Sequence, residues 1–404
     1  MQESHHAKRP VLVAGGGIGG LAAALALTRR GIDVTVLEQA SEIGEIGAGM
    51  QLGPNAFHAL DALGVGDLAR AHAVHTDCMV MHDAIDAYEV GRIPTGEVFR
   101  ARFGQPYAVI HRADVHGALL EGVRATGRIN FLTSVRAVRV IEESDGVAVV
   151  DADERIHRGA ALIGADGVKS MVRDQYVGDP ARVTGHVVYR AVVDRAEFPA
   201  DLQWNAASIW VGPNCHLVHY PLRGGEQYNV VVTFHSRKQE VWGVTDGSRE
   251  EVQSYFEGIC PQARQLIDLP RSWRRWATAD RDPIARWSYG RVTLLGDAAH
   301  PTTQYLAQGA CMALEDAVTL GEALRVSGDK IESAFDLYQR SRVARTARIV
   351  LSAREMGRIY HASGVERLVR NDLWRGRSPE RFYDALEWLY GWNAGNCLSG
   401  SGYA

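Results

Sequence analysis

A glycine cluster between two short apolar segments constrains this chain more than any other feature. Gly15, Gly17 and Gly20 follow the apolar residues 11–14 in the spacing G-x-G-x-x-G, and helix-forming residues come after them. Such glycines allow a tight turn, close approach of a pyrophosphate to the backbone, and close packing of a helix on a strand. The amino end of that helix stabilises phosphate charge. We therefore predict an N-terminal βαβ unit that binds a dinucleotide, in preference to a merely structural glycine-rich turn.

The predicted βαβ unit has a carboxylate at the position where units of this type bind a ribose. Glu38 ends the second predicted strand, residues 33–38, and can accept hydrogen bonds from ribose hydroxyls. Its charge repels a ribose 2′-phosphate, so NADP is a poor fit to this position.

Two later acid–glycine turns bear on which dinucleotide is bound. Asp166 follows an apolar segment within Gly-Ala-Asp-Gly, residues 164–167, and Asp297 follows another within residues 296–301. Each carboxylate can accept from a ribityl or ribose hydroxyl, but each alone could equally cap the next turn or helix. Their occurrence together with the N-terminal unit favours FAD over NAD.

The order of the patterned segments predicts interleaved domains. Residues 185–276 alternate between apolar and polar side chains, as in an antiparallel sheet with one buried face, and the later chain is helical. We predict an α/β fold in which a Rossmann-like FAD-binding domain is interleaved with a mainly antiparallel sheet domain that binds the substrate, followed by a helical C-terminus. The predicted ranges are 1–75, 106–180 and 282–345 for the FAD-binding domain, 76–105 and 181–281 for the substrate domain, and 346–404 for the C-terminal region.

Composition excludes several classes of protein. A net charge of −4 gives no reason to expect nucleic-acid binding, and the longest apolar run is far shorter than the roughly 20 residues of a membrane span. The five cysteines are widely spaced and form no C-x-x-C pair, which argues against a disulfide framework and a zinc site. We therefore expect a cytoplasmic protein without a metal centre.

The three segments, in this order, resemble the signatures of class A, single-component FAD-dependent aromatic hydroxylases of the para-hydroxybenzoate hydroxylase type. The resemblance extends to about residue 350. It implies that Glu38, Arg112 and Asp297 hold FAD, that Gln51 lies beside it, and that Asp166 contributes less directly. It also implies that NADH reduces the flavin in a transient encounter, consistent with the single G-x-G-x-x-G segment, and that O₂ then forms the C4a-hydroperoxide that hydroxylates a phenolic acid.

Within this family, residues 215–226 and 300–309 resemble those of 3-hydroxybenzoate 6-hydroxylases. The resemblance places His216, Tyr220 and Gln304 in the substrate pocket as catalytic residues, with 3-hydroxybenzoate converted to 2,5-dihydroxybenzoate. Strand periodicity independently puts residues 216, 218 and 220 on one face. Tyr107 is a weaker pocket candidate, because a packed core tyrosine explains it equally well.

Several alternatives remain open at this level. The same machinery serves salicylate or 6-hydroxynicotinate hydroxylation, and a non-catalytic flavin-binding redox protein is a different class. A flavin halogenase is disfavoured by the lack of a Trp-x-Trp-x-Ile-Pro segment, and a plain NAD dehydrogenase by the two later acid–glycine turns. The family resemblance suggests a homodimer. Trp374, Trp388 and Trp392 either contact the partner or pack within their own chain, and the Arg-rich residues 342–348 are predicted at a helix surface or dimer contact.

Overall fold

A computed structural model describes residues 9–44, 48–328 and 330–399. Its first sheet, called the dinucleotide sheet below, contains six strands. Five of them are parallel and only the outermost strand is antiparallel, and the central strands are buried along their whole length, as expected for a parallel sheet covered on both faces. The strands, in spatial order, are Ser288–Tyr289, Val292–Leu294, Ala161–Gly164, Val11–Ala14, Val34–Leu37 and Ile129–Leu132.

Helices and two small antiparallel sheets surround the dinucleotide sheet. The helices of this part are Ile18–Thr28, Pro54–Leu63, Gly66–Arg70, Arg112–Ala125, Met171–Tyr176, Gly309–Ser327 and the beginning of Ile331–Tyr360. One small sheet contains Gly49–Leu52, Ala108–His111 and Val74–His75, and the other contains Ala137–Glu143, Gly146–Asp151 and Ile156–Gly159.

A second sheet of eight strands, called the large sheet below, forms the other layer. Parallel pairing of Ala206–Gly212 with Cys78–Asp83 unites the two sequence segments that were predicted to share it. The helices Arg249–Tyr255 and Pro261–Asp268 pack their apolar side chains against one face, and the alternating sequence pattern did not predict them. The strands, in spatial order, are Gly243–Gly247, Trp273–Asp280, Arg182–Asp194, Gln227–His235, Cys215–Leu222, Ala206–Gly212, Cys78–Asp83 and Glu89–Pro94.

The predicted fold class is confirmed, including the helical C-terminus. Gly364–Trp374 and Pro379–Tyr390 pack near the edge strand Glu89–Pro94, and Glu97–Phe103 lies beside the last of these helices. The predicted boundary between residues 345 and 346 falls within the continuous helix Ile331–Tyr360. Within the described ranges, no helix is both long and apolar enough to cross a membrane.

The Arg-rich run at residues 342–348 includes buried ion pairs. Arg342, only 1% exposed, bonds through Nε to Asp316 Oδ1 at 2.7 Å and pairs through Nη1 with Glu315 Oε2 at 2.6 Å. Arg345 also binds Glu315, at 2.7 Å. The prediction that this run lies at a surface or dimer contact is wrong for Arg342 and Arg345, because the two buried carboxylates require counter-charges. Trp392 packs within its own chain, in the apolar core that surrounds the dinucleotide sheet.

Candidate active site

A cavity of about 790 Å³ lies between the dinucleotide sheet, the large sheet and the C-terminal helices. Its volume is typical of cofactor and small-molecule sites. Parallel strands of the dinucleotide sheet bring their carboxyl ends and following loops to this place, as is usual for open α/β sheets. The cavity therefore adjoins all three signature segments of the sequence: Gly17, Ala165, Gly167, Gly296 and Asp297 are among its lining residues.

The glycine turn is shaped for a dinucleotide. Gly15 has φ +103°, and a Cβ at this residue would lie 2.4 Å from the Ala165 carbonyl oxygen. A Cβ on Gly20 would lie 1.9 Å from the Gly15 oxygen, whereas one on Gly17 would meet nothing within 4 Å. Gly15 and Gly20 are thus required by the turn and its packing. Gly17 leaves open space at the amino end of Ile18–Thr28, where a pyrophosphate can approach the backbone.

Glu38 lies beside this turn, at the end of the strand Val34–Leu37. Its Oε2 accepts from the Gly16 N–H at 2.7 Å and its Oε1 accepts from the Ala40 N–H at 2.8 Å. These bonds hold the carboxylate at the position from which it can accept hydrogen bonds from ribose hydroxyls in this type of βαβ unit.

The other predicted cofactor residues converge on the cavity from separate elements. Gln51 lies on the strand Gly49–Leu52, Arg112 begins the helix Arg112–Ala125, and Asp297 lies in the 3₁₀ turn Gly296–Ala298. Asp297 has accessible surface towards the cavity but is otherwise enclosed by protein. This burial raises the pKa of its carboxyl group, while the nearby charges of His300 and Arg112 oppose the rise. A carboxylate that is partly removed from solvent in this way is stabilised by hydrogen bonds from hydroxyl groups.

Asp166 has partners within its own loop. Its Oδ1 accepts from the Ser170 hydroxyl at 2.5 Å and its Oδ2 accepts from the Val172 N–H at 3.3 Å. These bonds tie it to the start of the helix Met171–Tyr176, where Ser170 is the N-cap. The geometry corresponds to a helix-capping carboxylate.

We expect Asp166→Ala to lower the free energy of unfolding of the apoprotein and the FAD-bound protein alike, by about 1 kcal/mol, because a cap contributes about that much. FAD affinity should change little. Urea unfolding with and without FAD measures both quantities. Unchanged stability together with a large rise in the Kd for FAD would instead show that the carboxylate binds the cofactor.

All four predicted pocket residues line the cavity: Tyr107, His216, Tyr220 and Gln304. Gln304 Nε2 donates to Thr233 Oγ1 at 3.4 Å, and the Tyr107 hydroxyl donates to Gln51 Oε1 at 2.5 Å. The Tyr220 hydroxyl makes no hydrogen bond within the described part of the chain and can therefore bind a ligand. The sheet register brings His216 opposite Thr233 and so places it near Gln304.

His216 is neutral at neutral pH. Burial, with a smaller contribution from His186, lowers the pKa of His216 to about 3. A hydrogen bond of 2.8 Å joins its Nδ1 to His361 Nε2. His219, on the opposite face of the strand, packs instead among aromatic rings such as Phe198 and Trp204, outside the cavity. The two histidines therefore have different environments although they are three residues apart.

The sequence interpretation missed Arg190 and His361. Arg190 lies in register with Val231 and lines the cavity, and it makes no hydrogen bond or ion pair with another described residue. Burial lowers the pKa of its guanidinium, which lies over the Trp276 ring at 5.7 Å. No local pattern marks either residue, since a charged residue in an alternating strand and a histidine after a helix are ordinary surface features.

Comparison with known proteins agrees with this geometry. The sequence model of the FAD binding domain family matches residues 8–353. The 3-hydroxybenzoate 6-hydroxylase of Polaromonas naphthalenivorans (strain CJ2) is 78% identical over 96% of this chain and 98% of its own. The chain belongs to the FAD-dependent aromatic hydroxylases. A 3-hydroxybenzoate 6-hydroxylase of Klebsiella oxytoca is 59% identical to this hydroxylase over 96% of this chain and 98% of the relative.

A solved structure extends the likeness to three dimensions. A variant of HpxO from Klebsiella pneumoniae, complexed with FAD, matches this hydroxylase with a TM-score of 0.82 at 28% identity. The match covers 97% of this chain and 99% of that protein. The predictions of the family and of FAD as cofactor are confirmed.

Proposed function

We propose that this hydroxylase converts 3-hydroxybenzoate to 2,5-dihydroxybenzoate, with NADH and O₂ as co-substrates. The observation that carries the proposal is that His216, Tyr220 and Gln304 line the same cavity as the glycine turn and Asp297. The cavity thus offers a base and phenol-binding groups opposite the cofactor residues. The two relatives described above are 3-hydroxybenzoate 6-hydroxylases, which points to the same substrate.

In this proposal the cofactor residues are those that surround the glycine turn and the adjoining cavity. When bound, FAD supplies the redox chemistry that NADH and O₂ require. Gly17 admits the pyrophosphate, Glu38 accepts from ribose hydroxyls, and Asp297 accepts from the ribityl chain. The site is completed by Gly15, Gly20, Gln51 and Arg112. Asp166 supports it through the helix cap described above.

His216 acts as the general base for the substrate hydroxyl. A phenol has a pKa near 10, so it is protonated when it enters the cavity. Neutral His216 accepts a hydrogen bond from it and draws off the proton as the new C–O bond forms, which makes the ring a stronger nucleophile. Gln304 and Tyr107, which also line the cavity, orient the ring. Hydroxylation para to the activated oxygen gives the 2,5-dihydroxy product.

Arg190 binds the substrate carboxylate together with Tyr220. Arg190 is half-buried, and a partly desolvated guanidinium without an anionic partner gains from a planar carboxylate through charge-assisted hydrogen bonds. Tyr220 lies near Arg190, and because burial raises the pKa of its hydroxyl group, that hydroxyl is protonated and available as a donor. An acidic substrate therefore fits this wall of the cavity better than a neutral phenol does.

We expect Arg190→Gln to raise the KM for 3-hydroxybenzoate about tenfold or more, equivalent to about 1.4 kcal/mol of lost binding. Initial-rate kinetics measure the change. The Kd of an uncharged phenol, from the flavin absorbance change on binding, should shift much less. Equal weakening of the acid and the phenol would contradict a carboxylate-binding role.

Arg274→Gln provides a matched control. Arg274 lies in register with Arg190 on the neighbouring strand, but its side chain is exposed and pairs with Asp246 at 2.6 Å. Its loss removes the same charge from the same sheet without changing the cavity, so the KM should stay near that of the wild type.

Product identification tests the function as a whole. The purified flavoprotein is incubated separately with 3-hydroxybenzoate, salicylate and 6-hydroxynicotinate, with NADH or NADPH, and products are separated by liquid chromatography. Formation of 2,5-dihydroxybenzoate from 3-hydroxybenzoate, fastest with NADH, supports the proposal. Hydroxylation of only another acid identifies one of the alternatives. Nicotinamide oxidation that does not respond to any acid indicates a non-catalytic flavoprotein.

We further propose that the hydroxylase is a cytoplasmic homodimer. The C-terminal helix Gly364–Trp374 exposes a run of apolar side chains, an arrangement typical of interaction surfaces. These residues are Val365, Leu368, Val369 and Leu373. The five cysteines are buried and unpaired, which suits a reducing compartment. Sedimentation velocity distinguishes a dimer from a monomer.

A further inference from the structure

The hydrogen bond between His216 and His361 has a consequence for the proposed base. Both rings are almost fully buried, at 2% and 9% exposure, and the 2.8 Å bond uses His216 Nδ1. Because His216 also lines the cavity, Nε2 is the ring nitrogen left for a ligand there. The choice of the His216 nitrogen that carries the proton therefore depends on whether His361 donates or accepts this hydrogen bond.

A neutral imidazole has one protonated and one unprotonated nitrogen. Burial lowers the pKa of His216 to about 3 and that of His361 well below its ordinary value, so both rings are neutral at neutral pH. One of them must then donate and the other accept. If His216 donates from Nδ1, its Nε2 is unprotonated and can accept the phenolic proton. In the opposite tautomer, Nε2 carries hydrogen and can only donate.

The position of His361 favours its role as acceptor. His361 directly follows the helix Ile331–Tyr360, and the carbonyl end of a helix carries partial negative charge that stabilises a cation within the last turn. The helix end therefore favours His361 as the ring that accepts the hydrogen bond and takes partial positive charge, whereas His216 lies on a strand; burial of His361 opposes a full charge on it.

Further histidine and tyrosine rings lie beside the His216–His361 pair, and one of these histidines is exposed to solvent. The His361 ring packs against His186 at 5.4 Å between centroids, and His186 lies 5.1 Å from the exposed ring of His235. Tyr305 and Tyr360 also face His216, and the Tyr305 hydroxyl is hydrogen-bonded to His186 Nδ1. No acidic side chain has a hydrogen bond or ion pair with any of these four described histidines, although the charge of Asp280 acts on His186 from a longer distance. The exposed end of this cluster is therefore the ring of His235.

We propose that His361 is a positioning residue that holds His216 in the base tautomer by accepting a hydrogen bond from its Nδ1–H. The proposal rests on the proposed base function of His216. In the step, the substrate O–H bond breaks and its proton bonds to His216 Nε2, while the electron pair stays on the phenolate oxygen. The His216 Nδ1–H bond stays intact and donates to His361 Nε2. His216 ends positive beside the phenolate and His361 stays neutral, so charge and protons balance.

Nitrogen-15 NMR of the holoenzyme tests the tautomer without turnover. The histidines are labelled with ¹⁵N, and the His216 signals are assigned by their loss in His216→Asn. We expect the wild-type His216 to show an unprotonated Nε2 and a protonated Nδ1, and His361→Leu to show a mixture of both tautomers. A wild-type Nε2 that carries hydrogen overturns the proposal.

Two variants of His361 separate an electronic role from packing. Leu has a similar size but cannot accept a hydrogen bond, whereas Glu, when ionised, only accepts. We expect His361→Leu to lower kcat about tenfold or more with a smaller change in KM, as for loss of an interaction made in the transition state. His361→Glu should recover most of that loss. The rate of flavin reduction by NADH should be the same in both variants.

An equal loss in the Leu and Glu variants, or no loss in the Leu variant, contradicts the proposal. Failure of the wild type to hydroxylate 3-hydroxybenzoate would refute the proposed function, whereas the NMR result would still report the tautomer. The two failures are therefore distinguishable.

Discussion

Replacement of His216 by alanine is expected to lower kcat for hydroxylation by about 10²- to 10⁴-fold, the range typical of a lost general base. The side chain lines the cavity, is neutral, and has its Nδ1 hydrogen-bonded to His361, so the substitution removes the Nε2 atom that accepts the proton in the proposed step. Flavin content and flavin reduction should be retained. Product formation measured against NADH consumption will show whether turnover becomes uncoupled.

The pH profile gives a second readout of the same prediction. Because burial lowers the pKa of His216 to about 3, this residue stays unprotonated between pH 5 and 8 and should not cause a fall in kcat towards pH 5. Acid loss of activity with a midpoint near 6.5 that disappears in His216→Ala would mean that the base titrates normally, against the assignment of a buried neutral imidazole.

His219→Ala is the matched control. It removes the same kind of ring from the same strand, but from the face opposite the cavity, where His219 packs among aromatic side chains. We expect lower thermal stability and unchanged activity per bound flavin. If His216→Ala kept full, coupled hydroxylation, its role as the base would be disproved.

The second large effect concerns the glycine turn, where two Gly→Ala substitutions should have different consequences. One should weaken FAD binding and the other should destabilise the apoprotein. Gly17→Ala places a methyl group in open space, so the apoprotein should keep its Tm. That methyl group lies where the pyrophosphate approaches the backbone, and we expect the Kd for FAD to rise about 10- to 100-fold, equivalent to about 1.4–2.7 kcal/mol. Titration of the apoprotein with FAD, followed by flavin fluorescence, measures the change.

Gly20→Ala should damage the protein before any cofactor is added. Its methyl group would lie 1.9 Å from the Gly15 carbonyl oxygen, so the helix Ile18–Thr28 must move away from the strand. Such overpacking costs about 1–3 kcal/mol or more, and the apoprotein Tm should fall. Equal effects of the two substitutions on the apoprotein would show that Gly17, too, serves only the fold.

The cofactor site was more predictable than the substrate site, for a physical reason. Glycine spacing and acids after apolar strands are local patterns, and parallel strands necessarily bring their carboxyl ends to one edge of a sheet. Gly17 and Asp297 could therefore be placed together from sequence. Strand periodicity likewise gave the common face of His216 and Tyr220, although the family resemblance was needed to choose that strand.

The residues that the sequence interpretation missed depend on contacts distant along the chain. His361 meets His216 across 145 positions, and Arg190 faces the cavity only through its register in the large sheet. Asp166 illustrates a different difficulty, because an acid before a short helix has the same sequence pattern whether it binds a cofactor or caps the helix. Only the bonds to Ser170 and Val172 reveal the cap.

The order of strands in the dinucleotide sheet also governs how the chain can fold. Val292–Leu294 pairs with Ala161–Gly164, next to the strand Val11–Ala14, so the sheet is completed only after residue 294 of 404 has been synthesised. Until then, Ala161–Gly164 is an apolar edge strand, a site prone to aggregation. Non-local pairing of this kind slows folding. On the ribosome, the nascent chain must therefore keep this edge protected while the remaining six strands of the large sheet emerge.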